Sequence, residues 1–156
     1  MSRKIEMTMI SLAVVLLLST AAYSQACTDP GSIISVTNSS SGIYEYVTFK
    51  IQKPLNSGYG YSVATAHPVF KEEPSDNTVS ITGPKYKRIR FKGITWMCTI
   101  AENLSLPKTA IKDIKGLEQH EGIVMYVVGY RNASTYISTS STNAGSIRRI
   151  MMRFKK

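Results

Sequence analysis

What most constrains the fold of this chain is an alternation of apolar and polar side chains, two residues long, that recurs along most of its length. In Ile43-Tyr44-Glu45-Tyr46-Val47-Thr48-Phe49-Lys50-Ile51 the positions Ile43, Val47, Phe49 and Ile51 are apolar, while Tyr44, Tyr46, Thr48 and Lys50 are amphipathic or polar. A period of two puts such sets on opposite faces of a strand, one toward a core and one toward water. Pro54 and the turn Asn56-Ser57-Gly58 end this segment. Tyr59, Tyr61 and Val63 alternate in the next, which stops before His67-Pro68. Glu72 to Asn77 reads as an exposed acidic loop, and Val79 with Ile81 as a short strand closed by Gly83-Pro84. Ile94, Trp96, Cys98 and Ile100 share one face of a further strand, and Tyr136, Ile137 and Thr139 mark another. In the last, Ile150, Met152 and Phe154 face one way and Arg149, Met151, Arg153 and Lys155 the other.

Two stretches depart from the alternation. Ile123 to Val128 (IVMYVV) is almost continuously apolar, which predicts a central strand buried on both faces. Between Thr109 and Glu118, the spacing of Ile111, Ile114 and Leu117 fits one side of a helix, but Gly116 lies within it and a strand fits as well. Both readings stand at this point. Together the segments predict an all-β chain, an antiparallel β-sandwich of about seven to nine strands with at most one short helix.

The front of the chain follows another logic. Arg3 and Lys4 precede the apolar run Ile10 to Leu18, and Ser19-Thr20-Ala21-Ala22 follows. Charge, a short apolar core and then small residues is the order of an export signal, and the run falls short of the about 20 residues that a spanning helix needs. Ser24 and Ala26 fit cleavage after Ala26, so residues 1–26 are expected to be a signal peptide and 27–156 one domain, secreted or periplasmic. Cys27 and Cys98 are the only cysteines. In an exported chain an even count favours a disulfide, and closing a loop of about 70 residues contributes roughly 4 kcal/mol. Lipidation of Cys27 is the competing reading, although Ser24 stands where that pathway commonly has Leu.

Residues 27–156 carry 17 Lys and Arg against 9 Asp and Glu. Such a surplus attracts polyanions, and an exported chain meets cell-wall polymers and anionic head groups rather than nucleic acid. The strongest local feature is Lys85 to Lys92, where Arg88, Arg90 and Lys92 share one face and Ile89 and Phe91 the other. If this strand and the C-terminal one lie in the same sheet, Arg149 and Arg153 join that row, with Tyr86 beside it for stacking. Exposed Lys and Arg that keep sheet edges apart would give the same pattern.

Catalytic signatures are thin. The chain holds His67 and His120, with no metalloprotease helix motif, no nucleophile elbow and no phosphate-cradling glycine loop. His67 precedes Pro68 at a strand end, and His120 lies between carboxylates in Glu118-Gln119-His120-Glu121-Gly122, where turn chemistry explains it. No catalytic residue, metal ligand or cofactor is expected.

The segments Ile111-Lys112-Asp113-Ile114, Glu121 to Gly129 and Arg149-Ile150-Met151-Met152, with Tyr44 to Phe49 as an opening strand, resemble the AMIN-like β-sandwich domains of bacterial envelope proteins. The resemblance spans roughly residues 40–154 and makes Thr109 to Leu117 a strand. Arg153 stands where that family usually has an acidic residue. The resemblance implies a non-catalytic envelope domain that localises proteins at peptidoglycan. The expectation is therefore a binding domain that contacts an anionic polymer or membrane surface through Arg88, Arg90, Lys92, Arg149 and Arg153. The alternative is a subunit or inhibitor that meets a protein through Tyr44, Tyr46, Tyr59 and Tyr61.

Overall fold

The computed structural model describes residues 29–94 and 102–156, and within them every regular element is a strand. Eleven strands follow one another: β1 (Ile33–Ser41), β2 (Tyr44–Gln52), β3 (Gly60–Ala66), β4 (Phe70–Glu72), β5 (Asn77–Val79), β6 (Lys85–Lys92), β7 (Glu102–Asn103), β8 (Ile111–His120), β9 (Ile123–Tyr130), β10 (Thr135–Ala144) and β11 (Ile147–Lys155). Sheet A runs β10-β11-β2-β1-β7 and sheet B runs β3-β6-β9-β8, while β4 and β5 form a separate hairpin. All pairings are antiparallel except β7, which lies parallel to β1. The count exceeds the expected seven to nine. The polar second half of β1 (IISVTNSSS) hides its alternation, and β4, β5 and β7 are too short to show any. The export segment, Cys27, Trp96, Cys98 and Ile100 lie outside the described residues.

The sheets pack face to face over one core. Val47, Phe49 and Ile51 of β2 and Ile150, Met152 and Phe154 of β11 meet Ile89 and Phe91 of β6 and Val124, Tyr126 and Val128 of β9. The ring of Phe49 packs against Phe91 and Tyr126 at 5.1 and 5.2 Å between centroids. Edge and tilted contacts of this kind hold the two layers beyond the burial of area alone. One position in the β2 alternation reads differently from the sequence. Ile43 is 55% exposed, because Ser41 pairs with Tyr44 and leaves Gly42 and Ile43 as the turn. The inward series of β2 therefore begins at Glu45.

Strand β8 settles the helix-or-strand ambiguity and explains it. Its pairing with β9 slips twice, between Ile111 and Asp113 and between Gly116 and Glu118. Each bulge sets two residues against one and so stretches a period of two into a local period of three. The first bulge brings Ile111 and Ile114, three apart, to the main core, whereas the regular alternation from Ile114 to Gly116 leaves Leu117 on the opposite face. The β8–β9 connection is a two-residue turn at Glu121 and Gly122, with φ of 48° and 74°. Both values lie in the region that tight hairpins require.

A second, smaller core explains the unbroken apolar run of β9. Hairpin β4–β5 and the residues after it lie across the outer face of sheet B, where Phe70, Ile81, Leu117 and Val127 are buried together, with Tyr86 and Met125 against them. Strand β9 stands between β6 and β8 with apolar cover on both sides. The cover sits close. A Cβ on Gly129 would fall 2.1 Å from the Thr82 carbonyl oxygen, so only glycine admits the covering backbone there. Asp113 Oδ2 accepts from the Thr82 N–H at 3.0 Å, and the Glu73 N–H donates to the Leu117 carbonyl at 2.7 Å.

Candidate functional site

Strands β6 and β11 belong to different sheets, so the condition for a single basic patch is not met. Ile89 and Phe91 point inward from sheet B, and Ile150, Met152 and Phe154 point inward from sheet A. The alternate residues of each strand must then project from opposite sides of the sandwich. Arg88, Arg90 and Lys92 look out from sheet B, and Arg149 and Arg153 from sheet A.

The sheet B set is not an open row. Arg90 Nε lies 3.5 Å from Glu118 Oε2 across β9. Lys92 is exposed beside Gly60, Tyr61 and Ser62, and Arg88 is exposed opposite Val127. Lys115 on the same face stands 3.9 Å from Asp113. Tyr86 is a structural member of the second core rather than a stacking platform. Its ring meets Phe70 edge-on at 4.8 Å, and its hydroxyl donates to the carbonyls of Ile81 and Gly83.

Sheet A carries the more coherent cationic surface. Arg149 of β11 is directly opposite Lys50 of β2, flanked by Thr142 and Ser35. The next row across is Ser140, Met151, Thr48 and Thr37, and the next is Ser138, Arg153, Tyr46 and Ser39. Like charges set directly opposite one another cost stability unless an anion lies between them. Lys50 and Arg149, with Thr37, Thr48, Thr142 and Met151, line an open depression of about 400 Å³. Strands β1, β2, β10 and β11 contain one carboxylate, Glu45, and it is turned inward. Beside the depression the Arg153 guanidinium rests 5.0 Å from the centre of the Tyr44 ring, and Tyr46 stands 6.5 Å from Tyr44. Arg153 Nε and Ser35 Oγ are buried with no hydrogen-bond partner among the described residues.

Sequence reasoning passed over Lys50 and the threonines because three strands contribute them, and no short segment shows the cluster. It also passed over Glu45, whose signal is visible afterwards as an acid in the apolar parity of β2. Glu45 is 1% exposed, and its Oε2 accepts from the N–H groups of Ala110 and Ile111 at 2.9 and 2.8 Å. It thereby ties sheet A to the start of β8. The four tyrosines considered for a protein contact do not share a surface. Tyr44 and Tyr46 lie on the outside of sheet A, whereas Tyr59 and Tyr61 pack against the main core. Burial pushes the Tyr59 hydroxyl up to about 12, against the smaller opposing pull of Arg148, whose guanidinium lies 5.7 Å from the ring centre. Burial also raises Tyr130. His67 follows β3 and His120 ends β8, both exposed.

No family model matches the chain, and no curated protein matches it. Among the described residues no helix is long and apolar enough to cross a membrane.

Proposed function

We propose that this protein is an exported, non-catalytic binding domain that holds an anionic polymer of the cell envelope on the outer face of sheet A. The observation that carries the reading is the opposed pair Lys50 and Arg149 in a depression whose lining holds no carboxylate. An anion placed between them turns a repulsion into two charge-assisted hydrogen bonds. Serine and threonine hydroxyls on both sides suit the hydroxyls of a polysaccharide, and Arg153 braced on Tyr44 extends the cationic line along β11. The lining of the depression offers no carboxylate or imidazole to move a proton, which favours binding over chemistry. The resemblance to AMIN-like envelope domains points the same way. A polymer fits better than a bilayer because the outer residues of these strands are mainly hydroxyl-bearing or cationic, with Met151 of β11 and Ile137 of β10 as the exposed large apolar side chains among them.

Retention of the purified protein on an acidic glycan and on anionic vesicles, followed through a salt series, tests the reading. Glycan binding should weaken steadily with salt. Lys50→Ala with Arg149→Ala should lower it by about tenfold or more, as expected for two charged hydrogen bonds. Retention on vesicles alone, or glycan retention indifferent to the double substitution, would remove sheet A from consideration.

A further inference from the structure

On the other side of the molecule, hairpin β4–β5 does not cover sheet B completely. Between it and the sheet lies a second depression, of about 370 Å³, with Leu117, Met125 and Val127 among its lining and Phe70 as a wall. That volume falls within the range of small-molecule sites, which are mostly apolar with a few placed polar groups. Val69 on the rim is 71% exposed, a large apolar side chain left in water beside an apolar surface. Arg88 also lines the depression, opposite Val127 rather than an acid.

The charges around it are sorted in a telling way. Arg90, on the same face two residues on, is paired with Glu118. Lys71, also at the mouth, is held by Asp76 at 2.8 Å. Among the described residues no carboxylate lies within ion-pair distance of Arg88. One uncommitted guanidinium at the edge of a hollow lined by both apolar and polar side chains matches a ligand with one anionic head and an apolar tail. Guanidinium presents paired N–H groups that a carboxylate accepts in parallel, and the tail would replace water over Val69 and the part-exposed Met125, at the edge of the buried second core.

We propose that this depression binds a small amphipathic carboxylate, of the class of a medium-chain fatty acid, with its head on Arg88 and its tail under hairpin β4–β5. The site is separate from sheet A, and it stands or falls independently of polymer binding. Calorimetric titration of the purified protein with decanoate, decanol and decyltrimethylammonium, all below micellar concentrations, tests it. Decanoate should saturate one site and bind about tenfold more tightly than decanol, the worth of one charged hydrogen-bonded contact. Arg88→Gln, a change at an exposed side chain, should erase that advantage, and Val69→Ser should weaken decanoate and decanol alike. The proposal is overturned by an absence of saturable decanoate binding, by equal binding of the cationic amphiphile, or by an unchanged decanoate affinity in Arg88→Gln.

Discussion

On sheet A the cations Lys50, Arg149, Arg153 and Lys155 look outward among serines, threonines and tyrosines. On sheet B, Arg88, Arg90, Lys92 and Lys115 share their face with Asp113 and Glu118 and lie partly under hairpin β4–β5. The two faces match in number of cations and differ in what those cations are left to do. Where a carboxylate stands within reach, as for Arg90 and Lys115, the charge is spent inside the molecule on pairs of small net worth. Where none does, as for Lys50 and Arg149 on sheet A and Arg88 on sheet B, it is available to a partner. The cover over sheet B has its own cause. Met125, Val127 and Leu117 project outward there and must be shielded from water, whereas the hydroxyl-bearing outer residues of sheet A tolerate it.

The contrast can be broken most severely through the link between the sheets. Glu45→Ala strips two buried N–H groups of their acceptor and should cost about 3 kcal/mol in chemical denaturation. Both faces should lose definition together, and a cost below about 1 kcal/mol would deny Glu45 that role. Gly129→Ala should cost about 2 kcal/mol by driving a Cβ into the Thr82 carbonyl. Its damage should stay on sheet B. Hydrogen exchange is expected to rise in residues 70–82 while the strands of sheet A keep their protection, and uniform loss would refute the separation of the two faces.

Smaller effects sharpen the comparison. A double-mutant cycle of Arg90→Ala and Glu118→Ala should report a coupling of about 0.5 kcal/mol that shrinks in salt, since this pair is only partly shielded. The same cycle should leave glycan retention untouched. Least of all is the response to alkali. Because the Tyr59 hydroxyl ionises near 12 in the fold and near 10 when unfolded, the unfolded chain releases its proton first as pH rises. Stability should fall between pH 10 and 12, and Tyr59→Phe should flatten part of that fall. A profile identical in the variant would show that Tyr59 does not cause it.

Much of the fold was legible because strand periodicity is a local property. The faces of β2, β6 and β11 could be assigned from their own residues, and the doubly buried β9 announced itself by losing its alternation. What misled was also local. The bulges of β8 imitate helical spacing, and Ile43 continues an apolar parity into what is a turn. Of the candidate site, the outward cations were visible and their grouping was not. Arg149 finds Lys50 only through the pairing of β11 with β2, and Tyr86 is diverted into the second core by a hairpin whose strands are three residues long.

By itself, then, the order of residues determined that the described part of the chain is all-β, and which side of its principal strands meets the core. These follow from the pleat, which sends neighbouring side chains opposite ways whatever the strand pairs with. Only the tertiary structure decided which strands share a sheet, and hence which cations share a surface and which meet a carboxylate. A strand's pattern specifies its faces but carries no mark of its neighbour, since pairing joins segments far apart in the chain through backbone groups common to every residue.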